Sequence, residues 1–440
     1  MIKRILTLTL LVYGFGIKSQ TIYFPPLTGN SWDTISPSSL NWCQDSINSL
    51  YNLLASEQTK AFIVLKDGKI VLEKYFGTYT QDSVWIWYSA RKSLTAFLAG
   101  IAQEEGYLNI LNKTSDYIGT GWTSLPTAKE DLITVRHQLS MTTGLDENYF
   151  DCVTPSCLLY KADAGTRWVY HNGPYNLLKN VLESAIGTTL NNYTTVKIKN
   201  MTGMGGLWIL VPSLNNNYHY FSTARAMARF GLLVLNKGKW DTTTVLGDTS
   251  YFNQMTRSSQ NLNLAYGYLW WLNGKSSFIA AGDTVITPGS IAPNAPNDVY
   301  TAAGALGQYI SISLSNGLVM VRQGLSTTID YTGLVLHNNI WKKLMNLSCS
   351  TNSNNNYDNI SELYIFPNPF SALITLRTTV PLHNATLTID NIFGQTVKQI
   401  KNINGQTVVL SRDNLSSGLY FIRLTEDNKQ IETKKIIITD

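Results

Sequence analysis

The sequence predicts an α+β unit over residues 41–346, followed by a small all-β sandwich over residues 362–440. Three observations carry this. Two hairpin patterns, AFIVLKDGKIVLEKYFG and YISISLSNGLVMVRQG, stand far apart with mostly helical patterning between them. That arrangement suits an antiparallel sheet completed by distant segments and flanked by helices, with a helical lobe inserted. Residues 347–361, LSCSTNSNNNYDNIS, are rich in Asn and Ser and nearly free of apolar residues, so they read as a linker. Beyond them the pattern changes to short β-rich runs separated by turns.

Taken in order, the chain opens with an export signal. Lys3 and Arg4 precede an apolar run that is too short to span a membrane, and Ser19 offers a small residue before the cut, giving a signal peptide over residues 1–19. Residues 45–54 place Ile47, Leu50, Tyr51 and Leu54 on one helical face. Asp67-Gly68 between apolar runs marks the first hairpin, because that turn requires positive φ. Residues 93–108 read as a helix, and a loop-rich helical stretch continues to about residue 239. GYLWWL, the second hairpin and the closing helix HNNIWKKLMNL complete the unit, whose first and last helices are expected to pack together. The tail supplies ALITLRT, ATLTIDNI, TVVLS, GLYFIRLTE and TKKIIITD, with turns at Asn404-Gly405 and Ser417-Gly418.

The 440 residues are 44% hydrophobic and 11% aromatic, which excludes global disorder. Net charge is 34 − 29 = +5, and Lys3, Arg4 and Lys18 supply three of those charges, so a nucleic-acid partner is not expected. No later run is apolar enough for a transmembrane segment in the mature chain. The four cysteines suit an oxidising compartment. Cys152 and Cys157 flank Pro155 in one loop and would make a local clip, leaving Cys43 and Cys349; three pairings remain open. No His or Cys spacing suits a metal, and no cofactor is expected. The histidines His137, His171, His219, His337 and His383 read as structural.

Chemistry concentrates in WYSARKSLTAF. Ser89 and Lys92, three apart at the head of a helix, lie on one face. A serine hydroxyl needs a neighbouring base or cation to act as a nucleophile, and the helix start supplies N–H groups for an oxyanion. Alone, the pair occurs often by chance and better suits a capping serine followed by a solvated lysine. Tyr170 and Asn172, in YHNGPYNLL, add a phenol that a nearby ammonium would hold partly ionised as general base, and an amide able to orient lysine and substrate. Against this, Tyr170 would pack in the core and Asn172 would cap the next helix.

With SARKS, YHN and the intervening ITVRHQLSMTTGL in this order, residues 41–346 resemble the serine β-lactamase and penicillin-binding-protein superfamily. The resemblance is strongest to the class C branch with its esterases and 6-aminohexanoate-dimer-hydrolase-like amidases. It implies a β-lactamase/transpeptidase-like fold and an acyl-enzyme on Ser89. Lys92 would activate the serine, Tyr170 would be general base and leaving-group acid, and Asn172 would hold lysine and substrate amide. The superfamily's Lys-Thr-Gly strand has no counterpart. Ala302-Ala303-Gly304 aligns in its place, with the N–H groups of Ser89 and Ala305 as the oxyanion hole. Without that lysine, binding of a substrate carboxylate loses roughly 1.5–3 kcal/mol. A small-molecule ester, amide or peptide-like substrate is therefore expected. A β-lactamase or D-alanyl-D-alanine carboxypeptidase, and a non-catalytic surface binder, are the alternatives. Trp85, Trp87, Trp168, Trp270 and Trp271 are candidates to line an apolar pocket, set against the general rule that most aromatics are simply core.

IFPNPF, SSGLYFIRL and the terminal KKIIITD resemble, in this order, a type A C-terminal sorting domain of the type IX secretion system. That resemblance implies the secretion machinery as partner and a location outside the cell or on its surface.

Overall fold

The computed structural model describes residues 22–328, 333–349, 363–426 and 429–440. The expected signal peptide and nearly all of the expected linker lie outside these residues. The chain divides into two compact units, Met1–Cys349 and Ser350–Asp440.

The first unit is built on a six-stranded sheet, every neighbouring pair of which is antiparallel. Across it run Lys69–Tyr75, Thr59–Lys66, Leu318–Gly324, Gln308–Ser313, Tyr300–Gly304 and Trp271–Leu272. The first hairpin turns at Asp67 (φ 48°) and Gly68 (φ 86°), the conformation that Asp-Gly favours. Its strand then pairs with the end of the second hairpin, with Ile63 opposite Val321, so segments from both ends of the unit complete one sheet.

Helices cover the sheet. In Ala224–Leu235, Gly231 lets the helix settle close, since a Cβ there would lie 2.4 Å from Val319 Cγ1. Gln44–Ser56 buries Ile47, Leu50 and Leu54, and Leu334–Met345 buries Leu336, Ile340, Trp341 and Leu344. These two helices meet through Lys343 Nζ, which donates to Ser49 Oγ at 3.0 Å, and the Cys43 N–H, which donates to Leu347 O at 2.7 Å. Cys43 is bonded to Cys349, and Cys152 to Cys157.

The inserted lobe departs from its mostly helical expectation. Leu207–Val211 and Asn217–Ser222 form a hairpin, joined by Trp85–Ile86 into a three-stranded sheet. Its turn uses Asn215 and Asn216, both at positive φ, residue types that tolerate that region.

The second unit is all-β, a nearly closed sandwich over its own core of Ile374, Leu387, Ile389, Ile422, Leu424 and Ile436 among others. Two expected strands are one here: Leu373–Asn391 runs continuously, with register shifts between Arg377 and Leu387 where it bends. Asn404-Gly405 does not turn the chain. It lies inside Thr396–Ser411 opposite Leu382, at one of those irregularities.

Candidate active site

Ser89 is delivered by a tight approach. Tyr88 has φ 46°, an uncommon value for a bulky residue, and a short 3-10 turn, Tyr88–Ala90, feeds the helix Arg91–Glu104. That helix is buried along nearly all of its circumference, from Arg91 to Ala102, so it runs through the core and does not lie on it. Ser89 therefore stands at the positive end of a fixed helix.

One turn along, Lys92 is 1% exposed, and its Nζ reaches Ser89 Oγ at 3.1 Å and Asn172 Oδ1 at 2.7 Å. The nitrogen also sits over the rings of Tyr175 and Tyr170, 4.2 and 4.9 Å from their centroids. Burial pushes the Lys92 ammonium well below the ordinary lysine range, the Arg91 guanidinium pushes the same way, and the Asp151 carboxylate pulls part of it back. Burial thus favours the neutral amine at this position.

Tyr170 behaves otherwise than expected from its motif. Burial raises its phenol above the ordinary tyrosine value, which a hydrogen bond with Ser89 and the charge of Arg91 offset only in part. Burial, the largest influence on it, therefore favours the protonated phenol. Its ring is stacked with Trp271 at 5.9 Å and Phe150 at 6.3 Å.

A cleft of about 840 Å³ opens over these groups. Ser89, Tyr170 and Asn172 line it, as do Ala303, Gly304 and Ala305 from the end of the Tyr300–Gly304 strand. The strand comes close to the serine because position 304 is glycine: a Cβ there would lie 2.3 Å from Trp87 O and 3.1 Å from Ser89 N. Lys92 supports the site from behind and does not line the cleft. Of the five candidate tryptophans, only Trp271 lines it. Trp87, Trp168 and Trp270 are buried in the core, where Trp87 Nε1 donates to Ser222 Oγ at 2.7 Å, and Trp85 packs edge-on against Tyr79. Large aromatic surfaces are the core-formers of this unit.

The cleft also holds residues without a motif of their own. Asp151 accepts from Asn172 Nδ2 at 2.7 Å and from Asn215 Nδ2 at 3.1 Å. Arg91 donates to Tyr88 O at 2.9 Å and to Asn176 Oδ1 at 3.0 Å. His219, from the small sheet, is pushed down to about 3 by burial and by the charges of Arg91 and Lys92, so it is a neutral wall. His171, beside Tyr170, is buried and does not line the cleft. The only sequence signal for Asp151 was its place beside a half-cystine.

A sheet flanked by helices, with a cleft-lining serine backed by a buried lysine at a helix head and a Tyr-x-Asn facing it, is the arrangement of a β-lactamase-type fold. Residues 55–323, more than half of the chain, match the Beta-lactamase family, and the chain belongs to that family. Residues 364–439 match the secretion system C-terminal sorting domain, so the protein leaves by type IX secretion for the cell surface or the medium. Among the described residues no helix is long and apolar enough to cross a membrane.

Solved structures share the fold. A putative 6-aminohexanoate-dimer hydrolase from Bacillus anthracis is 18% identical, with TM-score 0.56, over 73% of this chain and 89% of its own. A putative beta-lactamase from Bacteroides dorei DSM 17855 is 16% identical, with TM-score 0.53, over 72% and 99%. A family VIII carboxylesterase is 14% identical, with TM-score 0.51, over 69% and 97%. No curated protein matches the chain.

Proposed function

We propose that this exported hydrolase cleaves a small-molecule ester or amide through an acyl-enzyme on Ser89. The observation that carries the reading is Lys92, buried and disposed to be neutral, with its Nζ 3.1 Å from Ser89 Oγ. Neutral Lys92 takes the serine proton as Oγ bonds to the substrate carbonyl carbon, and the carbonyl electron pair moves onto oxygen. The N–H groups of Ser89 and Ala305, brought together by the close pass of Gly304, receive that oxyanion. As the carbon–heteroatom bond breaks, the leaving alcohol or amine takes a proton from the Tyr170 hydroxyl, which Lys92 ammonium replenishes. Water, deprotonated by Lys92, then adds to the acyl carbon; as the carbon–Oγ bond breaks, Lys92 returns that proton to Oγ, releasing the acid and restoring Ser89. Asn172 keeps the lysine aligned throughout.

Ester or amide substrates lacking a carboxylate are favoured because the Ala302-Ala303-Gly304 strand carries no cation to pair with one. Arg91 is already bonded to Tyr88 and Asn176. The test is intact mass of the mature protein and of Ser89→Ala after exposure to a fluorophosphonate, a penicillin and a p-nitrophenyl ester. A fluorophosphonate adduct on the parent only, with turnover of the ester, is expected. Folded parent that forms no adduct with any reagent would overturn the reading in favour of a binding protein. A long-lived penicillin adduct without ester turnover would move the chain to the penicillin-binding side of its family.

A further inference from the structure

We propose that Asp151 is a positioning residue of this site, its carboxylate locking the Asn172 amide in the one orientation that turns Oδ1 toward Lys92. The inference rests on the hydrolase reading above and extends it to a residue outside the Ser-Lys-Tyr-Asn set.

A side-chain amide has one accepting end and one donating end, and rotation about its last bond exchanges them. Lys92 Nζ needs the accepting end, and Asn172 Oδ1 meets it at 2.7 Å. An ammonium would itself reject the flipped amide, but the neutral amine that the reaction needs has a lone pair and could accept from an amide N–H, so the lysine alone does not fix the orientation. A carboxylate only accepts, so Asp151 Oδ1, 2.7 Å from Asn172 Nδ2, admits a single orientation. Serine, lysine, amide and carboxylate thus form one continuous chain with links of 3.1, 2.7 and 2.7 Å, in which Lys92 donates to Ser89 and Asn172, and Asn172 donates to Asp151.

Asp151 is itself held. Its Oδ2 accepts from Asn215 Nδ2 at 3.1 Å, from the turn of the small sheet. The residue after it is Cys152, bonded to Cys157, and the Phe150 carbonyl before it accepts from the Gly173 N–H at 2.9 Å. That last bond ties the Asp151 loop to the residue next to Asn172, so amide and carboxylate move together.

The same carboxylate also acts on the charge state of the lysine, against the larger effects of burial and Arg91. The groups facing Lys92 are Arg91 on its own helix, the rings of Tyr170 and Tyr175, His219 from the small sheet, and Asp151. Burial keeps both phenols protonated, and His219 is neutral above about 3. Asp283, on the far cleft wall, accepts from the N–H groups of Thr284 and Val285. Asp151 is the anion of the set that acts on Lys92, and it favours the protonated form.

The test follows the Lys92 ammonium by 13Cε-lysine NMR, assigned by its absence in Lys92→Arg, beside the pH profile of kcat/KM for a p-nitrophenyl ester. Asp151→Asn removes the charge and lets the amide flip. We expect the Lys92 midpoint to fall by about half a pH unit or more, the acid limb to move with it, and kcat to drop about ten- to a hundredfold, the scale of one charge-assisted hydrogen bond. Asp151→Glu, which keeps the charge, should return the midpoint toward that of the parent. Should Asp151→Asn not fold, Asp151→Ser is read in the same way. A folded, uncharged variant with the parental lysine midpoint and acid limb overturns the proposal. A parent that neither turns over ester nor labels at Ser89 overturns the hydrolase reading instead, and the lysine titration still decides the role of Asp151.

Discussion

At Gly304 the closing strand passes so near the Ser89 turn that even a methyl group has no room, with Trp87 O 2.3 Å from where a Cβ would stand. Backbone carbonyls do not yield as a flexible side chain does, so Gly304→Ala must move the strand. Overpacking of this kind costs about 1–3 kcal/mol of stability. Because the strand end carries the Ala305 N–H, the larger effect should be on rate: kcat for an activated ester is expected to fall about tenfold or more, with a modest drop in melting temperature. Hydrolysis assays beside thermal melts check this, and an unchanged kcat would mean that the oxyanion is held elsewhere. Ser89, Lys92, Tyr170 and Asn172 were legible at this scale because their chemistry is written in short fixed spacings. Asp151 and His219 were not, since loop closure and strand register bring them in from stretches with no spacing of their own. The electrostatics of Tyr170 were also hidden, because burial decides the sign and a linear sequence does not show burial.

Among elements, the two disulfides act on different scales. Cys43–Cys349 closes a separation of 306 residues and Cys152–Cys157 one of 5. By loop entropy the long closure stabilises by roughly 5 kcal/mol and the short one by about 2 kcal/mol. Replacing Cys43 and Cys349 by serine should therefore lower the urea midpoint far more than the same change at Cys152 and Cys157. The short pair should show its main effect in kcat, because its loop carries Asp151. Urea titrations of both double variants, read beside ester turnover, separate the two roles; equal midpoints would refute the entropic account. The hairpin at Asp67-Gly68 was readable because Asp-Gly between apolar runs has one favoured geometry. The small sheet of the lobe was harder to see, as its turn is an Asn-rich loop and not a two-residue signature. Asn404-Gly405 shows the converse: the same kind of dipeptide serves as an irregularity inside a long strand when pairing on both sides outweighs the local preference.

For the whole molecule, catalysis and address are separate. Each unit has its own buried core, and every group placed in the catalytic site lies before residue 306. Deleting residues 364–439 in the producing bacterium should leave the hydrolase inside the cell envelope. Fractionation of medium, surface and envelope, with fluorophosphonate labelling of each, checks this; labelled protein still reaching the surface would show that the address lies elsewhere. The division into a hydrolase unit and a β-rich tail was visible from the change of composition around residue 350, because a packed core and a polar connector differ in residue usage. The joining of both ends of the first unit was legible too, from two hairpin patterns standing far apart, and one core accordingly runs from Trp32 to Leu347.

The bond between Cys43 and Cys349 has a mechanical meaning for a protein delivered by its tail. Tension entering from the C-terminal side reaches Cys349 first, and the covalent bond hands it directly to Cys43. The 305 residues between them, sheet and cleft included, lie off the line of force. A tug on the tail against the leading segment of the chain is thus borne by sulfur, and the site can stay assembled while the ends are pulled.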